Sequence, residues 1–117
     1  MKSADIARIV QRVNRMNEGR RLCATFQIPQ QPHKWVQYGD SRINAAYPSS
    51  MHPAKVLDGL GGRLEAWEAQ RYVTVWLCLG DDLAIAEWIE QYFDQMLSGH
   101  NHELDFKLAG FRHCAGA

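Results

Sequence analysis

The sequence lacks the local features that mark several specialised classes of protein. Its three cysteines, Cys23, Cys78 and Cys114, form no CxxC pair, so neither a zinc ribbon nor a thioredoxin-like site is indicated. The longest apolar run, within residues 72–79, is far too short to span a bilayer. An odd cysteine number without an N-terminal apolar signal is typical of a reducing compartment, so we expect a cytoplasmic protein without a membrane segment.

The chain also lacks a net charge, whereas dedicated nucleic-acid-binding domains are usually basic. The charge is nevertheless unevenly distributed. Residues 1–21 contain six positive and two negative side chains, and the rest of the chain contains seven positive and eleven negative ones. Such asymmetry is typical of a contact surface or of charge complementarity within the molecule.

Five arginines form a predicted basic patch, which consists of Arg8, Arg12, Arg15, Arg20 and Arg21. One interpretation, kept as the weakest functional alternative, is a surface for an acidic partner or for nucleic-acid phosphates. The competing interpretation is a solvated helix face, or one that pairs with the acidic side chains Glu87, Glu90 and Asp94 of a later helix.

The chain has enough apolar material for one core. Its 117 residues, 46% of them hydrophobic, include four Trp, four Tyr and four Phe. We therefore expect residues 1–117 to form one domain, with a frayed tail at 110–117.

Hydrophobic periodicity predicts the helices and strands. A stripe at 3–4 spacing predicts a helix over 3–17, and a second such stripe predicts a helix from about Asp82 to Leu97. Alternation predicts a strand at Leu22–Ile28, a loop at 29–33, and a hairpin of Lys34–Tyr38 and Arg42–Tyr47. Further strands are predicted at Tyr72–Leu79 and Glu103–Leu108, the first as a central strand covered on both faces and the second with Leu104, Phe106 and Leu108 pointing inward.

The stretch after a helix that begins near Pro53 is ambiguous. Leucines and Trp67 keep helical spacing to residue 69, but Gly59, Gly61 and Gly62 oppose a continuous helix. We favour a helix stop at Gly61 and a strand that starts at Arg63. A phosphate loop at these glycines would need a preceding strand and a following Lys and hydroxyl, which this segment does not have.

The predicted fold is α+β: a mainly antiparallel sheet of four to five strands packed against two or three helices, in the order α-β-β-β-α-(β)-β-α-β. This element order resembles that of type III secretion chaperones, small dimers that bind extended segments of partner proteins. The resemblance covers element order, and the strand at Glu103–Leu108 departs from it.

The most metal-like cluster is His100, His102 and Glu103. Two histidines with one residue between them on an extended segment point to the same side, which suits a metal site. The alternative is a polar turn after the last helix. We expect neither a cofactor nor a catalytic residue, because no cysteine is accompanied by a base and an oxyanion-hole turn.

Aromatic residues provide the candidate ligand-binding site. Trp35, Tyr38 and Tyr47 are predicted to form an aromatic surface on the hairpin, with His52 nearby, whereas Trp67, Trp76 and Trp88 are predicted to be core.

The leading hypothesis is a non-catalytic binding protein, present as a homodimer. The competing hypothesis is a small-molecule binder or enzyme with a pocket between sheet and helices, with Trp35, Tyr38, His52, His100 and His102 as its candidates.

Overall fold

The structure, a computed structural model, describes residues 3–16, 22–77, 81–98 and 103–110. Within these residues it contains three helices and a six-stranded antiparallel sheet, which confirms the predicted α+β class with one strand more than expected. The helices are α1 (Ser3–Met16), α2 (Ala54–Leu60) and α3 (Asp82–Met96). The strands are β1 (Leu22–Ile28), β2 (Gln31–Gly39), β3 (Arg42–Ala46), β4 (Arg63–Glu68), β5 (Tyr72–Trp76) and β6 (Asp105–Gly110).

The strands lie in the order β4-β5-β3-β2-β1-β6, so β4 and β6 form the two edges. Hairpins join β1 to β2 and β2 to β3. The second turn consists of Asp40 and Ser41, both with positive φ (51° and 60°). Two consecutive residues with positive φ are typical of a turn whose twist matches that of the flanking strands, so this turn sets the register of β2 on β3.

The ambiguous stretch is a strand, as favoured from the sequence. Gly61 (φ 86°, ψ 172°) and Gly62 (φ 105°) adopt conformations that residues with a Cβ rarely reach, and they end α2. The chain then enters β4, which contains a bulge between Leu64 and Ala66. The indole N–H of Trp88 donates to the Gly61 carbonyl (2.9 Å), which ties α3 to this corner.

All three described helices pack on one face of the sheet, which we call the inner face. Here α1 buries Ile6, Ile9, Val10 and Val13. From α3, Trp88 stacks on Tyr92 with 5.3 Å between ring centroids, and the Tyr92 hydroxyl donates to the Ala46 carbonyl (2.7 Å). Burial raises the pKa of Tyr92 above its ordinary value.

One chain of polar contacts leads from the buried interior to the surface. The hydroxyl of Tyr38 on β2 donates to the Asn14 carbonyl oxygen (2.7 Å), and the Asn14 amide donates to the Asp82 carboxylate (2.8 Å). Burial raises the pKa of Tyr38. These two bonds join the sheet, α1 and α3.

Four details differ from the sequence expectations. β2 begins at Gln31, inside the predicted loop, and β5 lies next to the edge strand, with side chains on its second face only half-buried. Phe106, predicted to point inward, is 44% exposed because it lies on the edge strand β6. Met16, the last member of the α1 stripe, is 48% exposed at the end of its helix.

No helix of the described residues is long and apolar enough to cross a membrane.

Candidate binding face of the sheet

The second face of the sheet, which we call the outer face, has no described helix on it. Strand pairing arranges its side chains in transverse rows, because residues opposite each other in antiparallel strands lie on the same face. The polar row contains Thr25, Gln37, Asn44 and Thr74. The rows on either side contain the half-buried aromatic residues.

The polar row is held by hydrogen bonds between its own side chains. The Gln37 amide donates to the Thr25 hydroxyl (3.0 Å), and the Thr74 hydroxyl donates to the Asn44 side-chain oxygen (2.6 Å). Each bond bridges two neighbouring strands. The row is therefore ordered before any partner arrives, which lowers the entropy cost of binding.

Beside the polar row, the outer face carries two half-buried aromatic residues, Trp35 and Tyr72. Tyr72 of β5 is paired with Ala46 of β3. On the other side of Ala46, Trp35 of β2 lies one residue beyond the Val36–Ala45 pair. With strands about 4.8 Å apart, the Trp35 and Tyr72 backbones are roughly 10 Å apart, with the small Ala46 side chain between them. Two rings at this spacing can accommodate a flat or narrow apolar group between them.

The row on the other side of the polar row, which contains Arg42 and Trp76, ends in a charged corner. Arg42 donates to Glu65 (2.9 Å) and lies 3.8 Å from Asp40, while the Arg63 guanidinium lies over the Trp76 ring, 4.6 Å from its centroid. The hydrogen bond from Arg42 holds the pKa of Glu65 below its ordinary value. This corner offers hydrogen-bond donors and an aromatic surface, and its charges are mutually neutralised.

The structure separates the four residues predicted to bind a ligand. Trp35 lies on the outer face, but Tyr38 and Tyr47 are buried on the inner face, so the predicted aromatic surface of these three rings does not form. The Tyr47 hydroxyl donates to the Met51 carbonyl (2.5 Å), and Tyr47 packs edge-on against Trp67. His52 contacts the same Trp67 ring at 5.2 Å, on the side of the molecule away from the outer face.

Two aromatic residues of the outer face, Tyr72 and Trp76, were not predicted as site residues. The sequence run around them is apolar enough to suggest a strand buried on both faces. The available signal was Thr74, which lies between them in the two-residue alternation with Val73 and Val75. Trp88 is core as predicted, whereas Trp76 is not.

The predicted metal cluster is only partly covered by the structure. His100 and His102 lie outside the described residues, and Glu103 is exposed just before β6. Among the residues that are described, no group of three or more His, Cys, Asp or Glu side chains could hold a metal ion.

The basic patch is also partly covered, since Arg20 and Arg21 lie outside the described residues. Arg8, Arg12 and Arg15 are exposed on α1. Arg8 lies 4.0 Å from Asp5 of its own helix. Over the described part of the chain, no ion pair joins these three arginines to Glu87 or Glu90 of α3.

Cys23 lies on the outer face at the start of β1 and is 2% exposed. Its neighbour across the strand pair is Ala109 of β6. The other two cysteines, Cys78 and Cys114, lie outside the described residues.

The chain matches no known protein-family model, no curated protein and no solved structure, so the geometry of the outer face is the basis for any function assigned to it.

Proposed function

We propose that this protein is a non-catalytic binding protein, present as a homodimer, that holds an extended peptide segment of a partner on the outer face. The observation that carries the proposal is the position of Trp35 and Tyr72 on either side of Ala46, beside an ordered polar row. Aromatic side chains next to amide and hydroxyl groups are typical of protein contact surfaces.

The size of the outer face favours a peptide over a folded domain. Six strands span about 24 Å, and the rows from Tyr72 to Trp76 span about 14 Å, which gives roughly 330 Å². A standard protein interface needs about 800 Å² from each partner. An extended segment of about seven residues would cross the sheet from edge to edge.

The element order supports the same class of partner. From α1 to α3 the order α-β-β-β-α-β-β-α is that of the type III secretion chaperones, which bind extended segments, and β6 departs from it. Element order alone carries no function, so this resemblance is secondary to the geometry of the outer face.

Selection of random peptides of about seven residues on the immobilised protein tests the proposal. Selected peptides are then titrated against the wild type, a Trp35→Ala/Tyr72→Ala variant and a Met51→Ala control. Met51 is exposed and lies away from the outer face, next to the buried Tyr47 hydroxyl. We expect the double variant to bind roughly thirtyfold more weakly, since truncation of central aromatic contacts costs about 2 kcal/mol or more.

Equal binding to the wild type and the double variant would place the peptide site elsewhere on the molecule. Failure to select any peptide would contradict the peptide-binding proposal itself. Urea unfolding of each variant, followed by tryptophan fluorescence, checks that the loss of affinity does not come from unfolding.

The alternative of a pocket between sheet and helices has less support. The hydroxyls of Tyr38 and Tyr47, two of the polar groups on that side, donate to Asn14 and to the Met51 carbonyl, so they serve the fold. The weaker alternative, nucleic-acid binding through α1, keeps the exposed Arg12 and Arg15 in its favour. Salt-dependent retention on heparin, compared between the wild type and an Arg12→Glu/Arg15→Glu variant, tests it.

The cytoplasmic location remains part of the proposal, and the oxidation state of Cys23, a free thiol or a disulfide, tests it. Disulfides are rare in reducing compartments. Mass spectrometry of the protein from its native host, alkylated before and after reduction, decides between the two. An alkylated Cys23 before reduction supports the cytoplasm, and an oxidised one supports an oxidising compartment.

A further inference from the structure

The exposed sides of α1 and α3 form one surface, which we call the helix layer, and its two halves carry opposite charge. α1 contains Arg8, Arg12 and Arg15 against a single acidic residue, Asp5. The α3 sequence contains four carboxylates, Asp82, Glu87, Glu90 and Asp94, and no Lys or Arg. The positive and negative halves lie side by side.

The two helices run antiparallel, and two side-chain contacts set their relative position. Ser3, at the start of α1, hydrogen-bonds to Glu90, and Asn14, near its end, donates to Asp82 (2.8 Å). Between these two levels, Arg8 lies at the height of Glu87, and Arg12 lies near the height of Asp82.

These charges do not neutralise each other within the described part of one chain. The only ion pair of an α1 arginine there is the one between Arg8 and Asp5, at the 4.0 Å limit. Arg12 and Glu87 are exposed and take part in no ion pair with another described residue. The helix layer therefore presents a positive and a negative strip to whatever approaches it.

A second copy of the chain fits this pattern under one symmetry. A two-fold axis that runs between α1 and α3, parallel to both, places α1 of each copy over α3 of the other. Arg8 of each copy then faces Glu87 of the other, in two symmetric sets. An axis perpendicular to the helices would instead place arginines over arginines, which like-charge repulsion disfavours.

We propose that two copies of this chain associate through the helix layer, with α1 of each on α3 of the other. The inference rests on the proposed homodimer and names the surface that forms it. Met16 and Leu83, which are 48% and 49% exposed, lie at the end of the layer marked by the Asn14–Asp82 bond and add apolar contact area.

The area of the helix layer indicates a weak dimer. Helices of 14 and 15 residues are about 22 Å long, and two of them side by side are about 20 Å wide, which gives roughly 440 Å² per copy. The total of about 900 Å² lies below the range of stable interfaces, about 1,200–2,000 Å². Charge complementarity then acts chiefly on orientation and on the rate of association, and salt weakens it.

Sedimentation equilibrium measures the dissociation constant of the dimer for the wild type and for a charge-swap set. Arg8→Glu and Glu87→Arg each place like charges opposite each other in the homodimer, and each should weaken it on the order of tenfold. In a heterodimer of the two variants, an acidic side chain at position 8 or 87 of one chain always faces a basic side chain of the other. An equimolar mixture of the variants should therefore recover the wild-type affinity as a heterodimer.

Lys107→Glu is the matched control, because it makes the same charge change on the exposed edge strand β6, away from α1 and α3. It should leave the dimer unchanged. An increase of salt from about 0.05 M to about 0.5 M should weaken the wild-type dimer on the order of tenfold.

The outcomes separate this inference from the proposed function. A dimer that tolerates both single swaps uses another surface, which overturns the helix-layer proposal and leaves the homodimer intact. A wild-type chain that stays monomeric at about 1 mM overturns both the homodimer and its surface. Neither result affects peptide binding by the outer face, which has its own variants.

Discussion

Replacement of the three glycines around the end of α2 by alanine should give three different results from one chemical change. Gly59 lies in α2 with no atom within 4 Å of the place where a Cβ would lie. Gly61 also has open space there, but its φ is 86°. Gly62 combines a φ of 105° with a Cβ position only 2.5 Å from a methyl carbon of Val75 and 3.0 Å from one of Leu77.

The free energy of unfolding should follow this order. Gly59→Ala should raise it by about 0.5–1 kcal/mol, because alanine is the better helix former and restricts the unfolded chain. Gly61→Ala should lower it by about 1–3 kcal/mol through backbone strain alone. Gly62→Ala adds overpacking, worth another 1–3 kcal/mol or so, to a similar strain, so about 4 kcal/mol is expected. Against a total stability of roughly 5–15 kcal/mol, that is a severe loss.

Urea unfolding followed by tryptophan fluorescence measures all three variants, with the midpoint and slope fitted separately. If Gly62→Ala costs no more than Gly61→Ala, then β4 does not begin in contact with Val75. If Gly59→Ala destabilises the protein, then α2 does not continue as a helix through residue 59. Either result would refute the physical reason given for the end of α2.

Three further predictions concern the buried polar groups and the start of α3. Because burial raises the pKa of Tyr38 and Tyr92 above 10.0 in the folded protein, their contribution to stability is complete below pH 10 and is lost at higher pH. The urea concentration at the unfolding midpoint should therefore decrease as the pH is raised above 10, and it should decrease less steeply in Tyr92→Phe. An equal dependence on pH in the wild type and the variant would contradict this. Asn14→Ala and Tyr38→Phe should each cost about 1–2 kcal/mol, and a double-mutant cycle should show a coupling of at least about 0.5 kcal/mol; strict additivity would show that their hydrogen bond contributes nothing. Asp81→Ala removes the N-cap bond to the Ala84 N–H (2.7 Å) and should cost about 1 kcal/mol by thermal unfolding, whereas Asp81→Asn should cost little; equal losses would argue against capping.

Local pattern was sufficient for most of the fold. The stripe of α1, the alternation of β1 and the glycines at 61 and 62 each reflect short-range physics, so their elements could be predicted. The strand order could not, because it depends on which edges meet in the folded state. β5 pairs with β3 as well as with β4, and the last strand, β6, pairs with the first, β1, through contacts across roughly 80 residues of sequence.

The candidate site was only partly predictable for a related reason. Trp35 was predicted as a candidate because it lies two residues from the polar Gln37, on the same face of one strand. Tyr38 and Tyr47 were placed with it by their aromatic character, whereas strand parity directs both to the inner face. Tyr72 was missed because the number of covered faces of a strand depends on where the helices pack, which no short sequence window contains.

The contact between α1 and α3 has a consequence for synthesis on the ribosome. The apolar stripe of α1 is synthesised before α3, which covers it and begins at Asp82. At about 5–20 residues per second, the intervening 65 residues or so take about 3–13 s to synthesise. During this interval Ile6, Ile9 and Val10 have no native partner on α3, so the nascent chain offers an apolar segment to chaperones before it can complete its fold.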